Sequence, residues 1–436
     1  MINLENLKIE DRERIRIPEM YNVKQKITSY KLDNVNKKIK SQLNSKKISL
    51  NNIVNPGESI AICVGSRGID RLNDVVLSVI EEVKKAGGMP FLIPAMGSHG
   101  GASSEGQENV LKSYGFSKEQ TGIKINSSME TINIGNTEEN NIPVYFSKAA
   151  YKADHIIVIN RVKVHTDYSG DIESGTLKMM AIGLGKHKGA STLHSYGMEN
   201  FPWVIPEVAS YIINNTPITL GIGLLEDGRE DLSDIKVWLP DEILEEESKM
   251  LKREKELLPG IPFDNIDLLI IDEMGKDISG AGIDPNIIGR LKEINTDINT
   301  IYVRNLTGDS HGNAAGIGMA DIISKKLFSK IDFGTTYTNL ITSRVLSNAK
   351  IPLIVDNDKQ AILIGIQVSS TPGVKGTIGS KVKIVRIKNT LNLKFLQVSE
   401  ALKEEVKFNP NLKLLSSNPI EDFIEAGSIN SELRDY

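Results

Sequence analysis

A strand-helix-strand pattern between residues 60 and 93 constrains the fold of this 436-residue sequence more than any other feature. The apolar run IAICV at residues 60–64 predicts a buried strand, and the turn GSRGID follows it. Apolar residues then recur at helical spacing until a Gly-Gly pair, and MPFLI at residues 89–93 predicts a second buried strand. Strands joined in this way pair in parallel, so ligands are expected at the loops behind their carboxyl ends.

The whole chain is predicted to be an α/β protein with two domains, because its length exceeds one ordinary hydrophobic core. The charged segment at residues 241–258 predicts a solvated amphipathic helix, and a new strand pattern starts soon after it. We therefore predict a catalytic and cofactor-binding domain over residues 1–262 and a second domain over 263–404, each with a largely parallel or mixed sheet. The active site is expected in the cleft between them. Residues from about 405 to 436 are predicted to pack back on the first domain.

The composition excludes several classes of protein. The 52 basic and 56 acidic residues give a net charge of −4, so no basic field recruits nucleic acid. No apolar run reaches the roughly 18 residues of a membrane span, and the N-terminus lacks the apolar core of a secretion signal. The single cysteine, Cys63, cannot form an intrachain disulfide and fits a reducing compartment. A cytoplasmic protein is expected.

Three predicted strands are followed by side chains suited to acid-base chemistry. Arg67 and His99 follow the first two strands, and His165 follows a third predicted strand at residues 155–160. Histidine exchanges protons near neutral pH, and a guanidinium binds a carboxylate through two hydrogen bonds. The set favours a substrate with a carboxylate beside a transferable proton. Taken singly, a histidine on a loop is more often a solvated or structural residue than a functional one.

The stretch SGTLKMMAIGLGKHKGASTLH at residues 174–194 allows several interpretations. Its glycine-rich turn could bind a phosphate, although it lacks a P-loop or a complete GxGxxG motif. His187 and His194 could bind a metal, but their spacing matches no standard zinc motif. Lys178 lies between apolar residues, which could make its amine nucleophilic, or its stem could simply cover an apolar surface.

The second domain is predicted to contribute two polar loops, with a helix over residues 314–328 following them. The loops could close over a ligand, although ordinary surface charge is an equally good explanation of their charged residues. The candidate side chains in and beside them are Asp272, Lys276, Arg290, Lys292 and His311.

In order and spacing, the set Arg67, GSHGG with His99, VKVH with His165, SGTLK with Lys178, and His194 resembles the lactate racemase family. These are nickel-dependent racemases and epimerases of 2-hydroxy acids. The intervals between the last four residues are 66, 13 and 16 positions. The outer two are close to those of the family, and the middle one is slightly long. The resemblance extends over nearly the whole chain and implies an isomerase.

The family resemblance also implies a cofactor, the nickel-pincer nucleotide pyridinium-3,5-bisthiocarboxylic acid mononucleotide. Lys178 would tether it, and His187 and Gly175 would contact it. His194 would complete a square-planar nickel site in which the pincer's two sulfurs and a ring carbon supply the other donors. Such a cofactor exchanges a hydride with the substrate while the protein moves the proton of the 2-hydroxyl.

By the same resemblance, His99 and His165 would be the acid-base pair, one for each face of the substrate's C2. Arg67 would bind the substrate carboxylate, helped by Ser66. Lys292 would stabilise charge on the substrate oxygen from the second domain.

The sequence departs from the lactate enzymes where they contact substrate. VGSRG lacks the acidic residue and the threonine that precede the family's arginine, and Gly289 replaces a glutamine, with Arg290 adjacent. The loop between His165 and Lys178 is also longer. We therefore expect a larger or more polar 2-hydroxy acid than lactate, with Ser66 and Arg290 among its contacts.

Other functions stay open on the sequence alone. One is a metal- or nucleotide-dependent α/β lyase or dehydratase that uses the same histidine pair. Another is a non-catalytic homologue that binds a nucleotide or metal. The expected partners are a small 2-hydroxy acid and, transiently, cofactor-assembly proteins, with no nucleic acid and no membrane. Homo-oligomerisation and the roles of His187 and His311 are left open.

Overall fold

The computed structural model describes residues 15–65, 68–290, 294–343, 345–369 and 381–433, together with residues 4, 7, 9, 292 and 379. Contacts between residues divide the chain into two units. Residues 28–258 form the middle unit, and residues 1–27 with 259–436 form the terminal unit. None of the helices in the described ranges has the length and apolar character needed to cross a membrane.

The middle unit contains most of the helices. Its strands are β2 Ser59–Val64, β3 Met89–Pro94, β4 Thr131–Asn136, β5 Pro143–Ser147, β6 His155–Arg161, β7 Ile218–Glu226 and β8 Leu232–Trp238. Its α-helices are α1 Val35–Leu43, α2 Leu50–Ile53, α3 Leu72–Lys85, α4 Ser104–Ser113, α5 Lys118–Thr121, α6 Lys148–Tyr151, α7 Thr176–Lys178, α8 Lys186–His194, α9 Phe201–Asn215 and α10 Ile243–Leu257.

The main sheet of the middle unit has the strand order β3-β2-β6-β7-β8. The first four strands are parallel, and β8 is antiparallel to β7. Ala61 and Cys63 face one hydrophobic cluster, whereas Ile60 and Ile62 face the other. Successive side chains of a strand point to opposite faces, so a run that is apolar throughout forms a strand buried on both faces. The three strands predicted from these runs are confirmed.

The terminal unit combines both ends of the chain. Its strands are β1 Met20–Gln25, β9 Asn265–Ile271, β10 Asp297–Val303, β11 Ile322–Ser324, β12 Leu353–Val355, β13 Ile384–Asn389, β14 Asn392–Ser399, β15 Leu412–Leu414, β16 Ile424–Glu425 and β17 Ser428–Ile429. Its α-helices are α11 Pro285–Ile288, α12 Lys325–Phe328, α13 Phe333–Ser343, α14 Asp358–Ser369 and α15 Lys403–Phe408.

The eight-stranded sheet of the terminal unit corrects two expectations. Its order is β12-β11-β10-β9-β13-β14-β1-β15, parallel from β12 to β13 and antiparallel from there to β15. Because β1 pairs with β14 and β15, residues 1–27 and the segment after residue 405 belong to this unit, not to the first domain as predicted. The helix expected over residues 314–328 is interrupted by β11. Both units are α/β, as predicted.

Candidate functional site

The loops behind β2 and β3 approach one helical turn of the middle unit, residues 178–183. A β-carbon on Gly65, directly after β2, would lie 3.3 Å from the sulfur of Met179. The backbone N–H of Gly97, behind β3, donates to the carbonyl of Gly183 at 3.0 Å. The carboxyl edge of the parallel sheet therefore meets the turn that begins with Lys178, as is usual for ligand sites in α/β folds.

The chain from Thr176 to His194 is helical almost throughout. Helix α7 ends at Lys178, a π-helical turn covers Met179–Gly183, and α8 ends at His194. Single π-helical turns inside helices are rare and are frequent at functional sites. The predicted tether and the predicted nickel ligand thus lie at the two ends of one short helical segment, and both are half-buried.

Two buried aromatic rings connect three of the predicted site residues. The ring of His165 stacks on Tyr168 with 4.4 Å between ring centres, and the amine of Lys178 lies 5.8 Å from the centre of the Tyr168 ring. Tyr168 meets Phe201 edge to face at 5.5 Å, and Phe201 lies 5.2 Å from the ring of His194. The structure therefore brings His165, Lys178 and His194 together around Tyr168 and Phe201.

The orientation of His165 is set by its own loop. Its backbone N–H donates to the carboxylate of Glu173 at 2.6 Å, and Lys255 pairs with that carboxylate at 2.7 Å. The backbone N–H of Asp167 donates to Nδ1 of His165 at 3.1 Å. A ring nitrogen that accepts a hydrogen bond carries no proton, so the neutral ring is the Nε2–H tautomer.

Helix α10 supports both the His165 loop and the Lys178 turn through two buried carboxylates. Glu247 accepts hydrogen bonds from the backbone N–H of Thr176 at 2.6 Å and from its hydroxyl at 2.5 Å. Glu254, seven positions later on the same face, accepts from the N–H of Val164 at 3.2 Å. Burial raises the pKa of each carboxyl to about 7. The predicted amphipathic helix is therefore confirmed, and its buried face includes two carboxylates that the sequence did not indicate.

Gly175 is explained by its neighbours. A β-carbon at this position would lie 2.3 Å from the carboxyl carbon of Glu247, so no larger residue fits. Its carbonyl accepts a hydrogen bond from the side chain of Asn160 at 3.0 Å. Glu247 and Asn160 therefore explain why this buried position is a glycine without any cofactor. The predicted contact of Gly175 with a cofactor stays a prediction.

The loop that carries His99 is supported from beneath by residues that the sequence did not reveal. His99 itself is exposed and precedes a 3₁₀ turn, Gly100–Ala102. The wholly buried amide of Gln107 donates to the carbonyls of Gly97 at 2.9 Å and His99 at 3.2 Å. Its oxygen accepts from the ammonium of Lys186, which is also wholly buried, at 3.1 Å. Only the position of Lys186 in a glycine-rich turn could have drawn attention to it.

The remaining predicted residues of the middle unit are less informative. His187 is exposed on α8. Ser66 and Arg67 lie outside the described residues, between the ranges that end at residue 65 and restart at 68. The alignment of Arg67 with the histidines is therefore still a prediction.

The predicted residues of the terminal unit have partners within that unit. The guanidinium of Arg290 donates through Nη2 to Asp321 at 2.5 Å and to the carbonyl of Asn299 at 2.9 Å, and its contact with substrate stays a prediction. The amine of Lys292 donates to the side-chain oxygen of Asn286 at 2.9 Å.

The other candidates in this unit are also accounted for. Asp272 forms ion pairs with Arg304 and Arg386, and Lys276 donates to the side chain of Asn339 at 3.2 Å. His311 is exposed.

Residues 3–201 match the family model described as the lactate racemase N-terminal domain. The chain is thus similar to lactate racemases over its N-terminal part. Among solved structures, it is similar to the lactate racemase apoprotein from Thermoanaerobacterium thermosaccharolyticum, with 14% sequence identity, 92% of each chain covered and a TM-score of 0.46. No curated protein matches the sequence significantly.

The match confirms the resemblance noted in the sequence over that part of the chain. The lactate racemase N-terminal domain includes His99, His165, Lys178 and His194, together with the loop behind β2. Arg290 and Lys292 lie beyond it. The roles of the individual residues remain predictions.

Proposed function

We propose that the protein is a racemase or epimerase of a 2-hydroxy acid that works with a nickel-pincer nucleotide. The observation that carries this proposal is the grouping of His165, Lys178 and His194 around Tyr168 and Phe201 inside a lactate racemase N-terminal domain. An amine and two imidazoles in one aromatic-lined region are the side chains that this cofactor and its substrate would need.

The donor set fits such a cofactor. The described residues contain no group of three or more histidine, cysteine, aspartate or glutamate side chains arranged to hold a metal ion. A pincer that brings three donors of its own needs only one more, and an imidazole is a suitable nickel ligand. His194 would be that ligand, and Lys178 the tether. When bound, the nucleotide supplies the hydride acceptor and donor for C2 of the substrate.

The protein's own work would be to move the hydroxyl proton and to hold the substrate. His165, whose ring stacks on Tyr168, would exchange a proton with the substrate oxygen for one enantiomer. His99, on the exposed loop behind β3, would do the same for the opposite enantiomer. The substrate carboxylate would be held by Arg67 with Ser66, and Lys292 would stabilise charge on the oxygen.

The substrate we propose is a 2-hydroxy acid other than lactate. Two of the sequence differences from the lactate enzymes that led to this proposal have local structural explanations. Gly289 ends α11 with a φ of 70°, a conformation that favours glycine, and Arg290 is paired with Asp321. The residues before Arg67, where VGS replaces the family's acidic residue and threonine, are therefore the main reason to expect a different substrate.

The decisive experiment is intact mass spectrometry with metal analysis on protein made in cells that assemble the pincer nucleotide. We expect bound nickel and a mass adduct that Lys178→Ala abolishes. Lys188→Ala is the matched control, because this exposed lysine lies on α8 with its amine 4.3 Å from the Tyr145 ring. Zinc or iron without an adduct would point instead to a metal-dependent lyase or dehydratase. Ligand binding without turnover would point to a non-catalytic homologue.

A further inference from the structure

Lys186 is a charged residue whose position calls for an explanation. Its side chain is fully buried at the start of α8, and its ammonium donates to the carbonyl of Pro94 at 2.6 Å and to Gln107 at 3.1 Å. Within the described residues, no carboxylate forms an ion pair with it. Burial lowers the pKa of this amine to about 8. Burying a cation without a counter-ion costs stability, so a residue that only filled the core would be better replaced by an apolar one.

The ammonium determines which way the amide of Gln107 points. A lysine ammonium has three donors and no acceptor, so the atom of Gln107 that faces it must be the carbonyl oxygen. The NH₂ group of Gln107 then faces the opposite side, where it donates to the carbonyls of Gly97 and His99. Without the cation, no donor on that side would require the side-chain oxygen of Gln107, and the amide could flip so that its oxygen and nitrogen exchange places. The hydrogen bonds thus run in one direction, from Lys186 through Gln107 to the loop.

The supported loop is also held at the end that joins β3. Pro94, which also accepts from Lys186, is the last residue of β3, and the N–H of Gly97 donates to Gly183 just before α8. Inside the loop, the N–H of His99 donates to the carbonyl of Met96 at 3.0 Å. Lys186 therefore connects the strand, the loop and the helical segment that begins at Lys178.

We propose that Lys186 is a positioning residue that, through Gln107, fixes the loop carrying His99 in the geometry needed for proton transfer. This inference rests on the proposed function only in assigning proton transfer to His99. The fixing of the loop is a property of the protein alone and can be measured without substrate.

The test is Lys186→Met, which keeps the apolar stem and removes the ammonium. We expect amide hydrogen exchange at His99 and Ala102 to become about tenfold faster, because both amides are hydrogen-bonded inside the loop, while exchange in β2 and β6 is unchanged. In the racemisation assay kcat should fall about tenfold or more with little change in KM, since substrate binding is assigned to other residues. Lys188→Met, two positions along the same helix and exposed, is the matched control.

A second variant tests the relay itself. Gln107→Glu keeps an acceptor for Lys186 but removes both donors to the loop, so it should accelerate exchange at the same amides even though the ammonium is still present. Unchanged loop exchange in either variant, or faster exchange spread evenly over the unit, would overturn the proposal. If the loop loosens in both variants and the unmodified protein racemises no 2-hydroxy acid, the positioning role stands and the proposed function fails.

Discussion

Changing Glu247 to glutamine tests the support that α10 gives to the Lys178 turn. The Glu247 carboxyl is 1% exposed and accepts three hydrogen-bond donors, the N–H and hydroxyl of Thr176 and the N–H of Leu177. Burial raises its pKa from 4.5 to about 7. The folded protein therefore holds this proton at pH values where the unfolded chain has lost it. The resulting stabilisation is complete below the ordinary carboxyl pKa and is lost as the pH rises through 7.

The size of the effect follows from the two pKa values. Each pKa unit corresponds to about 1.4 kcal/mol, so the rise from 4.5 to about 7 corresponds to about 3 kcal/mol over the full titration. Between pH 5 and pH 8 the share is about 2.5 kcal/mol. Glu247→Gln cannot titrate, so its free energy of unfolding relative to wild type should shift by that amount in the variant's favour across this range. Glu254 titrates in both proteins and cancels in the difference.

The assay is urea unfolding of wild type and variant at several pH values between 5 and 8, followed by circular dichroism. Glu245→Gln is the control, because this exposed carboxylate of the same helix pairs with Lys249 at the surface. Its pH dependence should stay close to that of wild type. A difference between wild type and Glu247→Gln that does not change with pH would mean that the Glu247 carboxylate is not desolvated, and the reasoning about α10 would be wrong.

Three further predictions concern the site. His99→Ala and His165→Ala should each abolish racemisation while nickel stays bound, as followed by polarimetry and metal analysis; activity in either variant contradicts the two-base assignment. Gly175→Ala should destabilise the protein by about 1–3 kcal/mol in thermal unfolding, because the new methyl group collides with the Glu247 carboxyl; an unchanged melting temperature would show that the turn can move. In a panel of 2-hydroxy acids, lactate should not be the best substrate by kcat/KM, and a clear preference for lactate refutes the argument from VGS.

Some parts of the fold could be predicted from the sequence because their signals are local. The apolar runs at residues 60–64, 89–93 and 155–160 lie inside β2, β3 and β6. Met20–Gln25, in contrast, forms a strand by pairing with residues 395–399 and 412–414, and no local sequence pattern identifies those partners. Residues 322–324 look like part of an apolar helical pattern, yet they pair with β10, because a short apolar run fits either structure.

The candidate site likewise has residues that the sequence alone indicates and residues that only the fold reveals. The order and spacing of His99, His165, Lys178 and His194 could be read directly, and the last three do meet around two aromatic rings. The supporting residues could not be read. EEES and GKHKG each contain chemically identical neighbours, one buried and one exposed, and only the backbone groups that fold against them decide which is which. Lys186 is buried and Lys188 is exposed, although both are lysines of the same short segment.

Three sets of buried side chains support the backbone of the candidate site in the same way, and this bears on substrate specificity. Lys186 with Gln107 supports the loop of His99, Glu254 supports the loop of His165, and Glu247 supports the Lys178 turn. All three supports bind mainly to backbone groups. A loop held by its backbone can change its side chains without losing any of these hydrogen bonds. Residues that would contact substrate can then differ from those of the lactate enzymes while the proposed acid-base pair and the proposed tether keep their positions. The cost is the burial of three ionisable groups, which the pH dependence of stability should reveal.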